Sequence, residues 1–288
     1  MFGRRCPGAS PALTMLSDPS QAGDAQVVLS AVALRKRYTQ GRWLSRRGSS
    51  IEALSAVNLK IRAGSTLALI GASGSGKSTL ARCLACLEKP DSGEIWFAGK
   101  NLVSLSQREL IPFRRQIQLI FQEPAASLNP RFTAVEIVSE PFLIAGQGTK
   151  QERKERAIAL MALVGLPASL GGRSPFELSG GQRRRLVIAR ALALEPKMLI
   201  LDEALAGLDL STRAQISNLL MELQGVCSLT YLLISHDSDL VTHLADEIAV
   251  LHEGRIVPSA VQELPVSPQA LRTDDSLVVT PALNGMPG

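Results

Sequence analysis

The stretch GASGSGKST, residues 71–79, constrains the fold of this chain more than any other feature. It follows an apolar segment, STLALIG at 65–71, and leads into a helix-compatible segment, KSTLARCLACL at 77–87. A Gly-x-x-x-x-Gly-Lys-Ser/Thr loop between a strand and a helix wraps phosphates with backbone N–H groups and with the positive end of the helix. The sequence therefore predicts a phosphate-binding loop made of Gly71, Ala72, Ser73, Gly74, Ser75, Gly76, Lys77, Ser78 and Thr79.

Side chains of this loop and of a later strand have predicted roles. Lys77 is expected to reach the β and γ phosphates of a nucleotide, and the Ser78 hydroxyl is expected to bind Mg²⁺. The segment MLILDE, residues 198–203, is an apolar strand that ends in two carboxylates. Because ligands of α/β folds bind at the carboxyl edge of the sheet, Asp202 is a candidate Mg²⁺ ligand and Glu203 a candidate general base.

A second glycine-rich helix start lies in ELSGGQRRR, residues 177–185. A serine and two glycines before a basic, helix-compatible run offer bare backbone N–H groups to an anion. Since the chain already has a phosphate-binding loop upstream, the residues alone leave open which phosphate this second site serves.

The remaining segments predict an α/β fold. Near-continuous apolar strands that alternate with helices are typical of a parallel sheet covered on both faces. The predicted strands lie at 27–34, 53–62, 65–71, 93–100, 116–122, 197–203, 230–236 and, as a pair that turns at Glu253-Gly254, 247–257. A helix is predicted at 150–166, where charged residues are followed by apolar residues at helical spacing and a glycine.

The chain divides into three predicted parts. Residues 1–26 form a loose extension in which Met15 is an alternative start, and residues 27–257 form the folded domain. Within that domain, residues from about 123 to 190 are mainly helical. The tail at 258–288 has no clear periodicity and stays unassigned.

Composition excludes some classes of protein. The net charge is +5 over 288 residues, which fits an anionic ligand or a membrane-adjacent surface and is too weak to indicate nucleic-acid binding. No segment reaches the roughly 18 apolar residues that span a bilayer, and the N-terminus is a poor signal peptide. The basic runs at 35–37 and 183–185 are expected to be solvated faces.

Cys83 and Cys86 raise a separate question, because two cysteines at this spacing could bind a metal or act in redox chemistry. No second pair completes a four-ligand zinc site. The pair lies in the predicted helix, at positions i and i+3, so both sulfurs are expected to pack in the core.

Three motifs follow one another along the chain: GKST, then SGGQ shortly before LILDE, then a strand that ends in histidine. A chain with these motifs in this order resembles the nucleotide-binding subunit of ATP-binding cassette transporters. The resemblance covers about residues 27–257. It implies ATP and Mg²⁺ as ligands and a P-loop NTPase fold, in which a RecA-like parallel sheet has flanking helices. It also implies an N-terminal antiparallel β portion and an inserted helical subdomain at about 123–190.

The same resemblance answers the question of the second glycine-rich site. In the family this signature, here Ser179, Gly180, Gly181 and Gln182, binds the γ-phosphate of the ATP that the other subunit holds. Two subunits therefore pair head to tail around two ATP molecules. The loop at Asp209 is implied to cross between the two sites.

Three further residues match family elements by position. Tyr38 resembles the aromatic residue that stacks on adenine, although a tyrosine at a strand end also occurs for structural reasons. Gln122 matches the glutamine that senses Mg²⁺ and the attacking water and links to the membrane partner. His236 matches the histidine that contacts the γ-phosphate.

A finer resemblance, to the oligopeptide, dipeptide and nickel importers, is visible in SLNPR, FELSGGQRRR and LDEALAGLDLSTRAQISNLL. It implies transmembrane permease partners, an external solute-binding protein that acts indirectly, and a peripheral position on the cytoplasmic face of the inner membrane. A non-transport soluble ATPase of the same superfamily, such as the phosphonate-breakdown type, stays an alternative. The solute, and the choice between a homodimer and a pair with a sister ATPase, stay open.

Overall fold

A computed structural model describes residues 26–39, 50–121 and 128–257, and the backbone of 262–263. The predicted N-terminal extension with Met15, nearly all of the tail, and Gln122 lie outside the described residues.

An antiparallel sheet carries the N-terminal part of the fold. Its four strands run in the order β2-β1-β4-β5. They are β1 (Val27–Thr39), β2 (Ser50–Arg62), β4 (Ser92–Phe97) and β5 (Lys100–Asn101). The predicted antiparallel β portion is confirmed, and it also includes β4, which lies after the phosphate-binding loop in the chain and pairs with β1.

A second sheet forms the centre of the molecule. Its order is β10-β9-β3-β8-β7-β6, and the five strands from β9 to β6 are parallel. The strands are β3 (Thr66–Ile70), β6 (Ile117–Ile120), β7 (Met198–Asp202), β8 (Thr230–Ile234), β9 (Glu247–His252) and β10 (Arg255–Ile256), and a short β11 (Gln262–Glu263) also pairs with β9. Glu253 and Gly254 both have positive φ, which is the geometry of a two-residue hairpin turn, so the turn predicted there is confirmed.

Seven α-helices surround the sheets in the described part of the chain. They are α1 (Lys77–Leu84), α2 (Ile111–Gln116), α3 (Ala134–Ile144), α4 (Lys150–Leu163), α5 (Gly180–Leu192), α6 (Leu210–Cys227) and α7 (Ser238–Leu244). Thr149 and Glu152 form a capping box at the start of α4, which explains why this helix begins where its charged residues do. Over the described ranges, no helix combines the length and the apolar character needed to cross a membrane.

Two hydrophobic cores lie on opposite faces of the central sheet, because successive strand residues point to opposite sides. Ile200 of β7 belongs to the core that contains α1, β1 and β2, whereas Leu199 and Leu201 belong to the core under α3 to α7. The strands are thus apolar on both faces, as a covered parallel sheet requires. Together with the flanking helices, this confirms the predicted α/β fold of the P-loop NTPase type.

Cys83 and Cys86 pack in the first of these cores, as expected. Both are buried, and burial raises the pKa of the Cys83 thiol to about 12 and that of Cys86 to about 11. Such thiols stay protonated and unreactive near neutral pH. Helix α1 is shorter than predicted, since it ends at Leu84 and Cys86 has a left-handed backbone with φ 57°.

The expectation that residues 183–185 form a solvated face is wrong for Arg184. This residue is only 7% exposed. Three consecutive residues of an α-helix sweep about 200° around its axis, so a helix that packs on several neighbours cannot present all three to solvent. Arg35 and Arg37, in the other basic run, are exposed as expected.

The packing of α3 yields a stability prediction with a matched control. Phe142 is 1% exposed and Leu143 is 60% exposed. We expect Phe142→Ala to lower the free energy of unfolding by about 3–5 kcal/mol, because it leaves a cavity in the core. Leu143→Ala should change it by about 0.5 kcal/mol or less. Chemical denaturation measures both values, and similar losses in the two variants would contradict the assignment of the core.

Candidate functional site

The carboxyl ends of neighbouring parallel strands build one edge of the central sheet. Strands β3, β8, β7 and β6 lie side by side in this order, and Ile234 of β8 is in register with both Leu69 and Asp202. The residues that follow these strands meet at that edge, where ligands of α/β folds bind. They are Gly71 after β3, Glu203 after β7 and His236 after β8.

The loop after β3 requires glycine at two of its positions. Gly76 has φ 107°, and a Cβ placed on it would lie 2.3 Å from the carbonyl oxygen of Ala53. A Cβ on Gly71 would lie 2.1 Å from the carbonyl oxygen of Leu251. No other residue fits at these two positions without moving the backbone, so the glycines hold the loop close to its neighbours.

This loop lines a cleft of about 630 Å³ that also reaches Tyr38 and Glu203. The Lys77 ammonium donates hydrogen bonds to the carbonyl oxygens of Gly71 and Ala72, both at 2.8 Å, which keeps its charge inside the loop. Ser75 Oγ is buried and, in the described structure, has no hydrogen-bond partner. Ser75 does not line the cleft, but Lys77 and the backbone of Gly74 and Gly76 do, so the loop fits an anionic phosphate.

Ser78 and Asp202 bring two side-chain oxygens together at this edge of the sheet. Ser78 Oγ donates a hydrogen bond of 3.2 Å to Asp202 Oδ1. Asp202 is 7% exposed, and burial raises the pKa of its carboxyl, with a smaller contribution from the charge of Glu203. In the described residues, no group of three or more His, Cys, Asp or Glu side chains could hold a metal. The pair fits Mg²⁺, which binds through few protein oxygens together with phosphates and water.

Glu203 and His236 lie beside this pair and face each other. His236 Nδ1 is 3.5 Å from Glu203 Oε1, and the His236 side chain is 71% exposed. Glu203 has a left-handed backbone with φ 48°, a conformation that costs a non-glycine residue about 1–3 kcal/mol. Its N–H donates to the carbonyl oxygen of Ile234 at 2.9 Å, so the neighbouring strand holds it in place.

Tyr38 also lines the cleft, and its hydroxyl is held by hydrogen bonds. Tyr38 Oη donates to Glu88 Oε2 at 2.8 Å and lies 3.4 Å from Oγ1 of Thr79. Glu88 also forms ion pairs with Lys36 and Arg82. The tyrosine therefore lines the same cleft as the phosphate-binding loop, and its ring is held there by the hydroxyl contacts.

The signature residues do not join this cleft. Ser179 caps helix α5: its Oγ accepts a hydrogen bond from the Gln182 N–H at 3.2 Å, and its own N–H donates to Gln182 Oε1 at 2.9 Å. Ser179 and Gly180 are exposed, and none of the four signature residues is among those that line the cleft. Asp209 is exposed as well and caps α6.

Two arginines near the site were not predicted. Arg213 contacts Asp237 and donates to the carbonyl oxygen of Leu208 at 3.1 Å. Arg184 donates to the carbonyl oxygen of Ala206 at 3.1 Å. Both therefore hold the segment between Glu203 and Asp209. In the sequence, only Arg184 could have been singled out, because it is the middle residue of a basic run on a helix that packs against its neighbours.

Burial of Asp202 leads to a prediction about stability. The change Asp202→Asn keeps the shape of the side chain and removes a buried charge. In EDTA near neutral pH we expect a higher Tm for the variant, since the folded-state pKa of Asp202 is raised above 3.8 and ionisation opposes folding. The difference should shrink as the pH falls through the raised pKa, where the folded wild type is protonated. A lower Tm for the variant near pH 7 would show that the contacts of the ionised carboxylate stabilise the fold by more than its burial costs.

Comparison with known proteins identifies the family of this chain. The ABC transporter family matches residues 54–206. The dipeptide transport ATP-binding protein DppF of Haemophilus influenzae is 40% identical over 258 residues, which cover 89% of this chain and 79% of that protein. The oligopeptide transport ATP-binding protein AppF of Bacillus subtilis is 44% identical over 213 residues, with 74% and 65% covered.

A solved structure gives the same result for the fold. The ATP-binding cassette MJ0796, a dimer in a post-hydrolysis state bound to ADP and Pi, is 31% identical and superposes with a TM-score of 0.73. The match covers 83% of this chain and 99% of that one. The chain therefore belongs to the ABC transporter family, as one of its ATP-hydrolysing subunits.

Proposed function

We propose that this subunit hydrolyses ATP with Mg²⁺ to energise an importer of peptides or of a similar small solute. The relatives named for dipeptide and oligopeptide transport support this substrate class. One observation carries the site assignment: Ser78 and Asp202 are hydrogen-bonded at 3.2 Å, next to the Glu203–His236 contact and the phosphate-binding loop.

In this proposal each group at the edge has a distinct role. Lys77 and the loop N–H groups hold the β and γ phosphates, and Tyr38 stacks on the adenine. Ser78 and Asp202 hold Mg²⁺, with Gln122 as a further contact; the bound ion offsets negative charge on the phosphate oxygens. Glu203 accepts the proton of the attacking water, and His236 stabilises the charge that builds on the γ-phosphate.

The signature is proposed to serve the ATP of a second cassette subunit. Its separation from the cleft within one chain supports this, because Ser179 and Gly180 are exposed and offer a helix N-terminus to an outside phosphate. Leu210, next to Asp209, is 76% exposed, which suits a surface that another subunit covers. The partner is a second copy of this chain or a sister ATPase.

A groove on the other side of β6 suits the permease partner. It has a volume of about 530 Å³; Ile144, Phe121 and Val187 form its apolar surface, and Arg114, Arg115 and Arg190 also line it. Ile144 is 76% exposed and Phe121 is 44% exposed. Amphipathic helices bind in apolar grooves of this kind. Phe121 directly precedes Gln122, the residue predicted to link the membrane partner to the ATP site. A helix docked in this groove would therefore lie next to that link. The subunit would then sit at the cytoplasmic face of the membrane.

The role of Glu203 can be tested by Glu203→Gln, which keeps the size of the side chain and removes its basicity. We expect turnover to fall by about 10²–10⁴-fold, while ATP binding persists and an ATP-bound dimer accumulates on size-exclusion chromatography. Hydrolysis at the wild-type rate would refute the assignment of Glu203 as the base.

The groove can be tested with two neighbouring exposed residues of α3. Ile144→Glu places a charge in the apolar lining, whereas Leu143→Glu places one just outside it. We expect only Ile144→Glu to lose co-purification with the permeases, because it replaces an exposed apolar side chain of the groove by a hydrated carboxylate that docking would have to desolvate. Both variants should keep the ATPase rate of the isolated subunit. Equal retention of the permeases by both variants would argue against docking at this groove.

A further inference from the structure

Arg184 is a buried cation whose contacts point toward the site. It lies on α5, five residues after Ser179, and is 7% exposed. Its Nη2 donates to the carbonyl oxygen of Ala206 at 3.1 Å. Its Nη1 is buried and, in the described part of the chain, has no hydrogen-bond partner. Burying a cation in this way costs stability, so packing alone is a poor reason for an arginine here.

A short series of hydrogen bonds runs from Arg184 to the backbone of Glu203. The N–H of Ala206 donates to the carbonyl oxygen of Glu203 at 3.0 Å, and the N–H of Glu203 donates to Ile234 at 2.9 Å. Both backbone groups of the left-handed Glu203 are therefore bonded. Because a strained residue keeps its conformation only when its surroundings hold it, fixing Ala206 also fixes Glu203.

We propose that Arg184 is a positioning residue that ties helix α5, which begins at the signature, to the backbone of Glu203. The inference rests on the function proposed above. There, Ser179 engages the ATP of the partner subunit and Glu203 acts on the ATP of its own chain. Arg184 then connects the two sites within one chain, so that α5 and the base keep a fixed relative position.

The test compares Arg184→Met with Arg185→Met in the full chain. Arg185 is the matched control, since it lies on the same helix and its Nη1 donates to a backbone carbonyl, that of Val164, at 2.7 Å. That carbonyl belongs to the end of α4 and not to the segment after Glu203. The measurements are kcat and KM for Mg-ATP, normalised to nucleotide-binding sites, and Tm.

For Arg184→Met we expect kcat to fall by about tenfold or more, as misplacement of a reacting group does, with KM unchanged. Its Tm should not fall, because a buried cation is replaced by an apolar side chain. Arg184→Lys, which keeps a donor, should recover part of kcat. Arg185→Met should keep kcat within about twofold of the wild type.

The inference is overturned if Arg184→Met keeps the wild-type kcat, or if both methionine variants lose kcat and Tm alike. Glu203→Gln, measured in parallel, separates this result from a failure of the proposed function. An inactive Glu203→Gln with a fully active Arg184→Met overturns only the positioning role. A fully active Glu203→Gln instead refutes Glu203 as the base, which is the part of the proposed function on which the positioning role depends.

Discussion

The whole site depends on the parallel pairing of β3, β8, β7 and β6, which brings four strand ends to one edge of a sheet. The phosphate-binding loop, Glu203 and His236 each come after a strand of this sheet, so the backbone ladder and not the loops sets the spacing between them. Hydrophobic cores on both faces hold these strands. Such a scaffold keeps the Ser78–Asp202 pair and the candidate base Glu203 in position even though His236 and Ser179 are exposed.

The sequence predicted most elements of the fold, because the signals for them are local. Apolar runs marked the central strands, the charged start and later glycine marked α4, and Glu253-Gly254 marked a hairpin. The pairing of β4 with β1 joins segments far apart in the chain, and no local pattern specifies such a partner. The early end of α1 at Leu84 was missed for a similar reason, since tertiary contacts can override helix propensity.

The residues of the candidate site also fall into those that local sequence signals predicted and those that they did not. The loop glycines, Lys77, Ser78 and the carboxylates were predictable because their chemistry requires those residue types in that order. The structure places Lys77, Ser78, Asp202 and Glu203 at one edge of the central sheet. The contacts of Arg184 and Arg213 were not predictable, because the direction of a helical side chain depends on how the helix is rotated against its neighbours.

The alternation of side chains along β7 also has a consequence for chemistry. Ile200 packs on the same side as helix α1, and Leu201 packs on the other side. Asp202, two residues after Ile200, shares its side and so meets Ser78 of α1. The burial of Ile200 and Leu201 on opposite faces of the sheet therefore sets the direction of the Asp202 side chain. Adding or deleting one residue in β7 would move its side chains to the opposite face and turn the carboxylate away from the Ser78 hydroxyl.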